Sequence, residues 1–541
     1  MPKINNLETY YSSKVESAVQ ALDSDKITVG DVANVIMNVF DVYYLKPYEN
    51  TPLDSLLVFN PLTGAFEGGR ALWFRLVVSV KAGMSVGSIM SVIENVHAMA
   101  GIQGRQLEPY HGSQYLLFLN GVLNVKTMKL IPFSDKQVRE LQFTTRHKIS
   151  IDWVSTPFEP VMTDGLVAGG DWTPSKFFKA YADNDDEKLE LLYFSMALGL
   201  FAGHNFGMHI NIEGASGWGK STLARVFVNL FDGRVQRIPY ASLNEKFPFT
   251  SYDLNTSVIW VSENNVGSEP LNDTYGTIHY DSLGDEEARF QVKGKGDMVV
   301  QNPPQVYVDG TQTIKAKNIN TGPARRTMVF SLPRVDDALQ AQMYAKDIAA
   351  FLKNKATLQF LVFEFIRVYR KFVPAERMDD LQLNLAKEDT LSLLPSIASE
   401  MREKIVGESS SIDTWYLDYV EPYLQKDSII HDNILYRMYL IWYKQNNPQD
   451  NFAKGALSYI EFEKELTQFY EAHQQTREML GSARARGSRR KRVGDYRGMN
   501  FDWDTYETDY GLPQFLSDTN DDFYKRIWGR QISGWYQVVS L

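Results

Sequence analysis

Cysteine is absent from the sequence. Its absence excludes a disulfide framework and any thiolate metal site, and a reducing cytoplasm becomes the natural compartment. Histidine is scarce, with 8 residues in 541. None stands in an H-x-x-x-H spacing or at ligand spacing from acids, so no zinc site is expected. No uninterrupted apolar run approaches the roughly 18 residues that a membrane helix requires. The start, Met1-Pro2-Lys3-Ile4-Asn5-Asn6, has no charged segment leading into an apolar one, so secretion is not expected either. These absences together predict a soluble protein with no membrane partner. An excess of positive charge is lacking too: 56 Lys plus Arg stand against 66 Asp plus Glu, for a formal net charge of −10. Such a chain repels a polyanion at long range, so contact with nucleic acid must come from a local concentration of cations. Internal repeats of about 20 to 50 residues and long low-complexity tracts are missing as well, which sets aside solenoids and propellers.

What is present is ordinary globular composition, 44% hydrophobic and 23% charged, with enough apolar surface for several cores. At roughly 100 to 200 residues per domain, the length corresponds to about three or four domains. Between 54 and 155, short apolar runs end in turn signals, as in Leu56-Leu57-Val58-Phe59 before Asn60-Pro61 and Leu116-Leu117-Phe118-Leu119 before Asn120-Gly121. These are marks of strands and hairpins mixed with helices, and they predict an α+β accessory region over 1–165. From Asp185 to Phe201, Leu189, Leu192, Met196 and Leu200 recur at helical spacing behind an acidic start. That pattern predicts a capped amphipathic helix in a linker or collar over 166–204.

Met208 to Ile212 then reads as a strand, Gly214 to Gly219 as a glycine-rich turn and Ser221 to Phe231 as a helix ending before Gly233. Apolar runs follow at Val258 to Val261, Val306 to Val308 and Met328 to Leu332. Four buried strands spaced by helices or loops predict an α/β nucleotide-binding core over 205–335. Periodicity predicts helices over 336–372 and 385–405, a lid or connector spanning 336–405. Further helices are expected at Asp432 to Tyr443 and Ser458 to His473. Followed by a basic run over 484–497 and the aromatic segment Tyr496 to Trp503, they suit a mainly helical, winged-helix-like domain over 406–541.

Gly214-Ala215-Ser216-Gly217-Trp218-Gly219-Lys220-Ser221-Thr222 satisfies G-x-x-x-x-G-K-[ST]. In this pattern the backbone N–H groups and the following helix N-terminus cradle a polyphosphate. The glycines admit close approach of the main chain, Lys220 reaches the β and γ oxygens and the Ser221 hydroxyl coordinates Mg²⁺, so ATP and Mg²⁺ are the expected ligands. The competing reading, a glycine-rich surface loop ahead of an ordinary helix, is disfavoured by the flanking strand and helix. Hydrolysis also needs an acid at the end of a neighbouring strand, to hold Mg²⁺ through water or to polarise the attacking water. Val258-Ile259-Trp260-Val261-Ser262-Glu263 supplies Glu263, with Asn264 beside it; the alternative is a solvated turn residue.

Taken in order, residues 205–335 resemble the superfamily 3 helicases of viruses, phages and mobile plasmids. In that family the P-loop is followed by an acidic motif, a hairpin whose basic residue contacts DNA, a strand ending in a polar sensor, and an arginine on the next strand. The corresponding residues here are Gly219-Lys220-Ser221, Ser262-Glu263, Gln291-Val292-Lys293-Gly294-Lys295-Gly296, Pro303-Pro304 through Asp309-Gly310-Thr311, and Arg325-Arg326-Thr327. Two positions depart from the family: Ser262 replaces the first of a pair of acids, and Thr311, with Gln312 next to it, stands where the sensor is usually Asn. A weaker likeness to phage and poxvirus primase-helicases extends on both sides, so that similarity of some grade covers about 115–335 and about 430–505. The first 110 residues show no primase active-site pattern.

The resemblance implies an AAA+-like ATPase core and an ATP-dependent DNA helicase and replication initiator of a phage or mobile genetic element. It implies a hexameric ring with ATP held between subunits. Lys220, Glu263, Thr311 and Arg326 would be catalytic, Arg326 acting in trans, with Ser221 and Glu263 serving the metal. Lys293 and Lys295 would grip single-stranded DNA in the channel; their alternative is a flexible basic turn, and that of Arg325 and Arg326 a solvated strand edge. Arg484, Arg486, Arg489, Arg490, Lys491 and Arg492 would bind origin duplex, unless the acidic stretch from Asp502 to Asp522 neutralises them. Two other functions fit the same residues: an ATP-regulated origin-binding protein without processive unwinding, and a DNA-packaging or protein-remodelling ATPase.

Overall fold

The structure is a computed structural model. It describes residues 6–22, 27–45, 55–161, 173–204, 206–215, 218–249, 252–264, 271–272, 274–292, 296–311, 314, 326–333, 350–379, 383–386 and 393, and scattered positions from 412 to 466. The chain divides into two compact units, Met1–Ile405 and Val406–Leu541.

The first unit opens with α1 (Leu7–Gln20), capped by the Asn6 side chain, and α2 (Val29–Val39), opened by a capping box between Thr28 and Asp31. They pack with α3 (Arg70–Val80) and α4 (Val86–Ile102) around Trp73. The Trp73 indole donates to Leu56 O at 3.0 Å. That bond fastens the helices to an antiparallel sheet of β1 (Val42–Tyr44), β2 (Leu56–Asn60) and β3 (Ala65–Gly68). A second antiparallel sheet holds β4 (Tyr115–Phe118), β5 (Gly121–Asn124) and β6 (Lys129–Ile131), the first two joined at Asn120 as the turn signal predicts. A short helix, α5 (Lys136–Glu140), follows. The accessory region is thus α+β.

Two helices, α6 (Pro174–Tyr181) and α7 (Asp186–Leu198), lead into the core. Residue for residue from Leu191 to Leu198, α7 is buried. The helix is capped by Asp185 as expected, but it is not amphipathic. A distant helix, α10 (Lys355–Phe372), covers the side that helical spacing leaves polar, and Lys371 pairs with Glu190 there at 2.6 Å.

A five-stranded sheet, entirely parallel, forms the centre: β7 (His209–Glu213), β8 (Val235–Pro239), β9 (Val258–Asn264), β12 (Gln305–Gly310) and β13 (Thr327–Ser331). Its lateral order is β13-β7-β12-β9-β8. The four apolar runs read as strands all lie in it, because a parallel sheet covered on both faces needs continuous apolar strands. The fifth, β8, escapes sequence reading: Gln236, Arg237 and Pro239 make it an edge strand. One face packs on α8 (Lys220–Leu230) through Ile210, Ile212, Leu223 and Phe227, in a core that continues into Phe118, Trp153, α7 and α10. The other face holds Ile259, Val261, Val306 and Val308 against Tyr280 of α9 (Gly276–Ser282).

A separate antiparallel pair, β10 (Glu287–Val292) with β11 (Gly296–Gln301), is in register at Val292 opposite Gly296. Of the helix expected over 385–405, residues 385 and 386 form a turn instead, and all the rest except Leu393 lies outside the described residues. In the second unit the rings of Trp415, Tyr439 and Phe462 lie 5.3 to 5.8 Å apart. All three are helical positions, Tyr439 and Phe462 within the two segments expected there and Trp415 outside both; the winged-helix reading itself falls outside the described residues. Among the described residues, no helix is long and apolar enough to cross a membrane.

Candidate functional site

The site lies where β7 runs out. After Glu213 the chain bends, Gly214 N donates to Gly310 O of β12 at 3.0 Å, and the loop re-enters helical geometry at Lys220. Gly219 caps α8 in the left-handed region, at φ +84°, and supplies no side-chain cap. The first N–H groups of α8 therefore face the loop, which is the arrangement that binds anions. A side chain at Gly219 would be strained by that φ, and its Cβ would collide with the Tyr181 hydroxyl. The phenol comes from the end of α6, donates to Gly219 O at 3.2 Å and also bonds Thr222. Burial pushes the Tyr181 phenol up, so it acts only as a neutral donor or acceptor. No motif marks Tyr181 in the sequence; the nearest signal is an aromatic-rich helix ahead of the core.

The Lys220 ammonium folds back onto its own loop, donating to Gly214 O at 2.5 Å and Ala215 O at 2.9 Å. Its partial burial lowers its pKa, and the Asp309 carboxylate opposes that shift. Ser221 is exposed at the mouth, whereas Thr222 is buried. Trp218 packs against Gly214 and the adjoining core.

Lateral order corrects one expectation. The strand beside β7 on the acid side is β12, and β9 lies one strand further out. Asp309 of β12, not Glu263, is thus the acid on the neighbouring strand. The two nevertheless meet. Val308 pairs with Val261 and Gly310 with Asn264, so Ser262 and Glu263 form a bulge opposite Asp309. Glu263 adopts φ +72° there and its side chain is exposed. A left-handed non-glycine residue costs on the order of 1 to 3 kcal/mol and tends to mark functional positions. Its N–H donates to Asp309 Oδ1 at 3.2 Å, and the Trp260 indole donates to Asp309 Oδ2 at 2.6 Å. Thr311 N donates to Asn264 O at 2.9 Å, which holds Thr311 at the same edge. Gly310 must be glycine because a Cβ would run into the Asn264 backbone.

Lys220, Ser221, Glu263 and Thr311 thus gather at the carboxyl edge of the sheet with Gly214, Ala215, Trp218, Gly219 and Thr222, and Asp309 joins them. Arg326 does not. It precedes β13, whose first residue, Thr327, pairs with His209 at the start of β7. At about 3.3 Å per residue this puts Arg326 roughly 17 Å from the phosphate loop, at the amino edge. Its side chain is 11% exposed and donates to Asp285 Oδ1 at 2.5 Å, while Nε and Nη1 are buried with no hydrogen-bond partner among the described residues. His209 lies beside it and donates to Tyr280 O at 2.9 Å; burial, with Arg326 adding, pushes that imidazole down to about 3. The alternative of a solvated strand edge is therefore not what surrounds Arg326. Ser216, Gly217, Lys293, Lys295, Gln312, Arg325, Arg484, Arg486, Arg489, Arg490, Lys491 and Arg492 lie outside the described residues.

No family model matches the sequence, and no curated protein matches it. Among solved structures, the chain is similar to the A form apo structure of the NrS-1 C-terminal region, at 12% identity and a TM-score of 0.37, covering 79% of this chain and 84% of that one. It is also similar to the apo structure of NrS-1 residues 305–718, again at 12% identity, with a TM-score of 0.39 and the same coverage.

Proposed function

We propose that the chain is an ATP-dependent DNA helicase and replication initiator of the superfamily 3 kind, from a phage or mobile genetic element, working as a hexameric ring. The observation that carries this reading is the loop between β7 and α8: a glycine-built cradle, an uncapped helix N-terminus and Lys220 resting on exchangeable carbonyls. The polyphosphate of ATP takes the loop N–H groups, and Lys220 turns from Gly214 O and Ala215 O to the β and γ oxygens. The oxygen donors at the mouth, the Ser221 hydroxyl and the nearby carboxylates, suit Mg²⁺, a hard cation that neutralises phosphate charge when bound. Glu263 accepts a proton from the attacking water and Thr311 orients that water. Arg326 serves the nucleotide of an adjoining subunit, since roughly 17 Å separates it from its own loop. Lys293 and Lys295 stand in the sequence between β10 and β11 and grip the threaded strand without sequence preference.

The test is strand displacement on a forked duplex with ATP and Mg²⁺. Unwinding that requires hydrolysis is the expected result. ATP-dependent duplex binding without displacement would favour the origin-binding alternative, and hydrolysis indifferent to single-stranded DNA would favour a packaging or remodelling ATPase.

A further inference from the structure

Resting on the ATPase reading, we infer that Asp309 is a positioning residue for Glu263: it fixes the bulged backbone from which the Glu263 carboxylate is presented to the attacking water. Both Asp309 oxygens accept from protein N–H groups, Oδ1 from Glu263 N at 3.2 Å and Oδ2 from Trp260 Nε1 at 2.6 Å. A carboxylate held at both oxygens has a set plane. Trp260 is itself immobile, 1% exposed and stacked on Tyr307 at 5.3 Å with 10° between the rings. The Tyr307 hydroxyl donates in turn to Ser195 O of α7 at 2.6 Å. A line of packed and bonded groups therefore runs from the buried helix α7 to the exposed edge, and it ends on the one backbone N–H that anchors Glu263 in the left-handed region.

The β12–β9 pairing explains why an anchor is needed. Two residues of β9 face one of β12, so the ladder cannot satisfy the bulge, and Asp309 supplies the missing acceptor. Its charge also acts on Lys220 of the loop. Asp309 thus keeps a carboxylate at fixed distance from both working groups of the edge while its own oxygens are engaged by N–H donors.

The experiment is a double-mutant cycle with Asp309→Ala and Glu263→Gln, read as steady-state ATP hydrolysis with single-stranded DNA, alongside amide exchange across 258–264. For Asp309→Ala, kcat should fall about tenfold or more, with the KM for ATP within about threefold of wild type. Adding Glu263→Gln should give no more loss than Glu263→Gln alone, and the Glu263 amide should exchange at least about tenfold faster in Asp309→Ala. Asp309→Asn, which keeps the volume but turns an N–H group against one of the two donors, decides by the same readouts if the alanine variant does not fold. Additive losses, a wild-type kcat in both variants, or unchanged protection of the Glu263 amide would overturn the inference while leaving the ATPase standing. A wild-type chain without any hydrolysis would remove both.

Discussion

The two edges of the central sheet carry opposite kinds of polar group. At the carboxyl edge, Lys220 is held by two backbone carbonyls, Glu263 is exposed on a strained bulge and the helix N-terminus has no side-chain cap. At the amino edge Arg326 is nearly buried, paired with Asp285 and next to a neutral His209, and two of its nitrogens lack partners among the described residues. A buried guanidinium incompletely bonded is costly, and the cost is relieved when the cation meets an anion. Under the proposed function, each edge would hold half of a phosphoryl-transfer site, and copies of the chain would join the halves by setting the amino edge of one against the carboxyl edge of the next.

The largest effect that would break this comparison comes from Arg326→Ala. ATP binding, followed by a fluorescent nucleotide, should persist, while turnover should fall by about 10³ or more, as for other arginines that reach a neighbour's γ-phosphate. Turnover close to wild type would confine Arg326 to packing at its own edge.

A smaller effect concerns acid. His209 at the amino edge and His147 in the accessory region are both held neutral by burial, each pushed down to about 3. The unfolded chain binds their protons from about pH 6.5 downward, whereas the folded chain does not until about pH 3. Each therefore removes up to about 1.4 kcal/mol of stability per pH unit across that window, and stability is regained as pH rises. Thermal melting from pH 7 to pH 5 should fall in wild type and fall less in His209→Gln, and equal slopes would contradict the buried neutral assignment.

The smallest effect sharpens the carboxyl edge. Tyr181→Phe keeps the ring beneath Gly219 and deletes only the hydroxyl that bonds Gly219 O and Thr222. At about 1 kcal/mol for such a bond, the KM for ATP should rise a few-fold, with kcat little changed. A drop in melting temperature with KM unmoved would leave the bond a purely structural one.

The same contrast explains what could be read from sequence. The phosphate loop is legible because its chemistry is packed into nine consecutive residues, Gly214 to Thr222. The inner strands are legible because burial on both faces leaves unbroken apolar runs. Asp309 was in plain view at the end of Val306-Tyr307-Val308, yet its position depends on β12 inserting between β7 and β9, and lateral order is not written along a chain. The burial of α7 follows likewise from α10, more than 150 residues later, and the props of the site, Tyr181 at the loop and Trp260 at Asp309, act through contacts that no local spacing announces.

The most direct measurement mixes two inactive chains. Lys220→Ala has a spoiled loop and an intact arginine, Arg326→Ala the reverse, and each alone should hydrolyse almost no ATP. Combined under assembly conditions, they should regain turnover well above the sum of the separate activities, because some interfaces then pair a sound loop with a sound arginine. Activity that stays at that sum, in a mixture shown to co-assemble, would contradict a nucleotide site shared between the two edges.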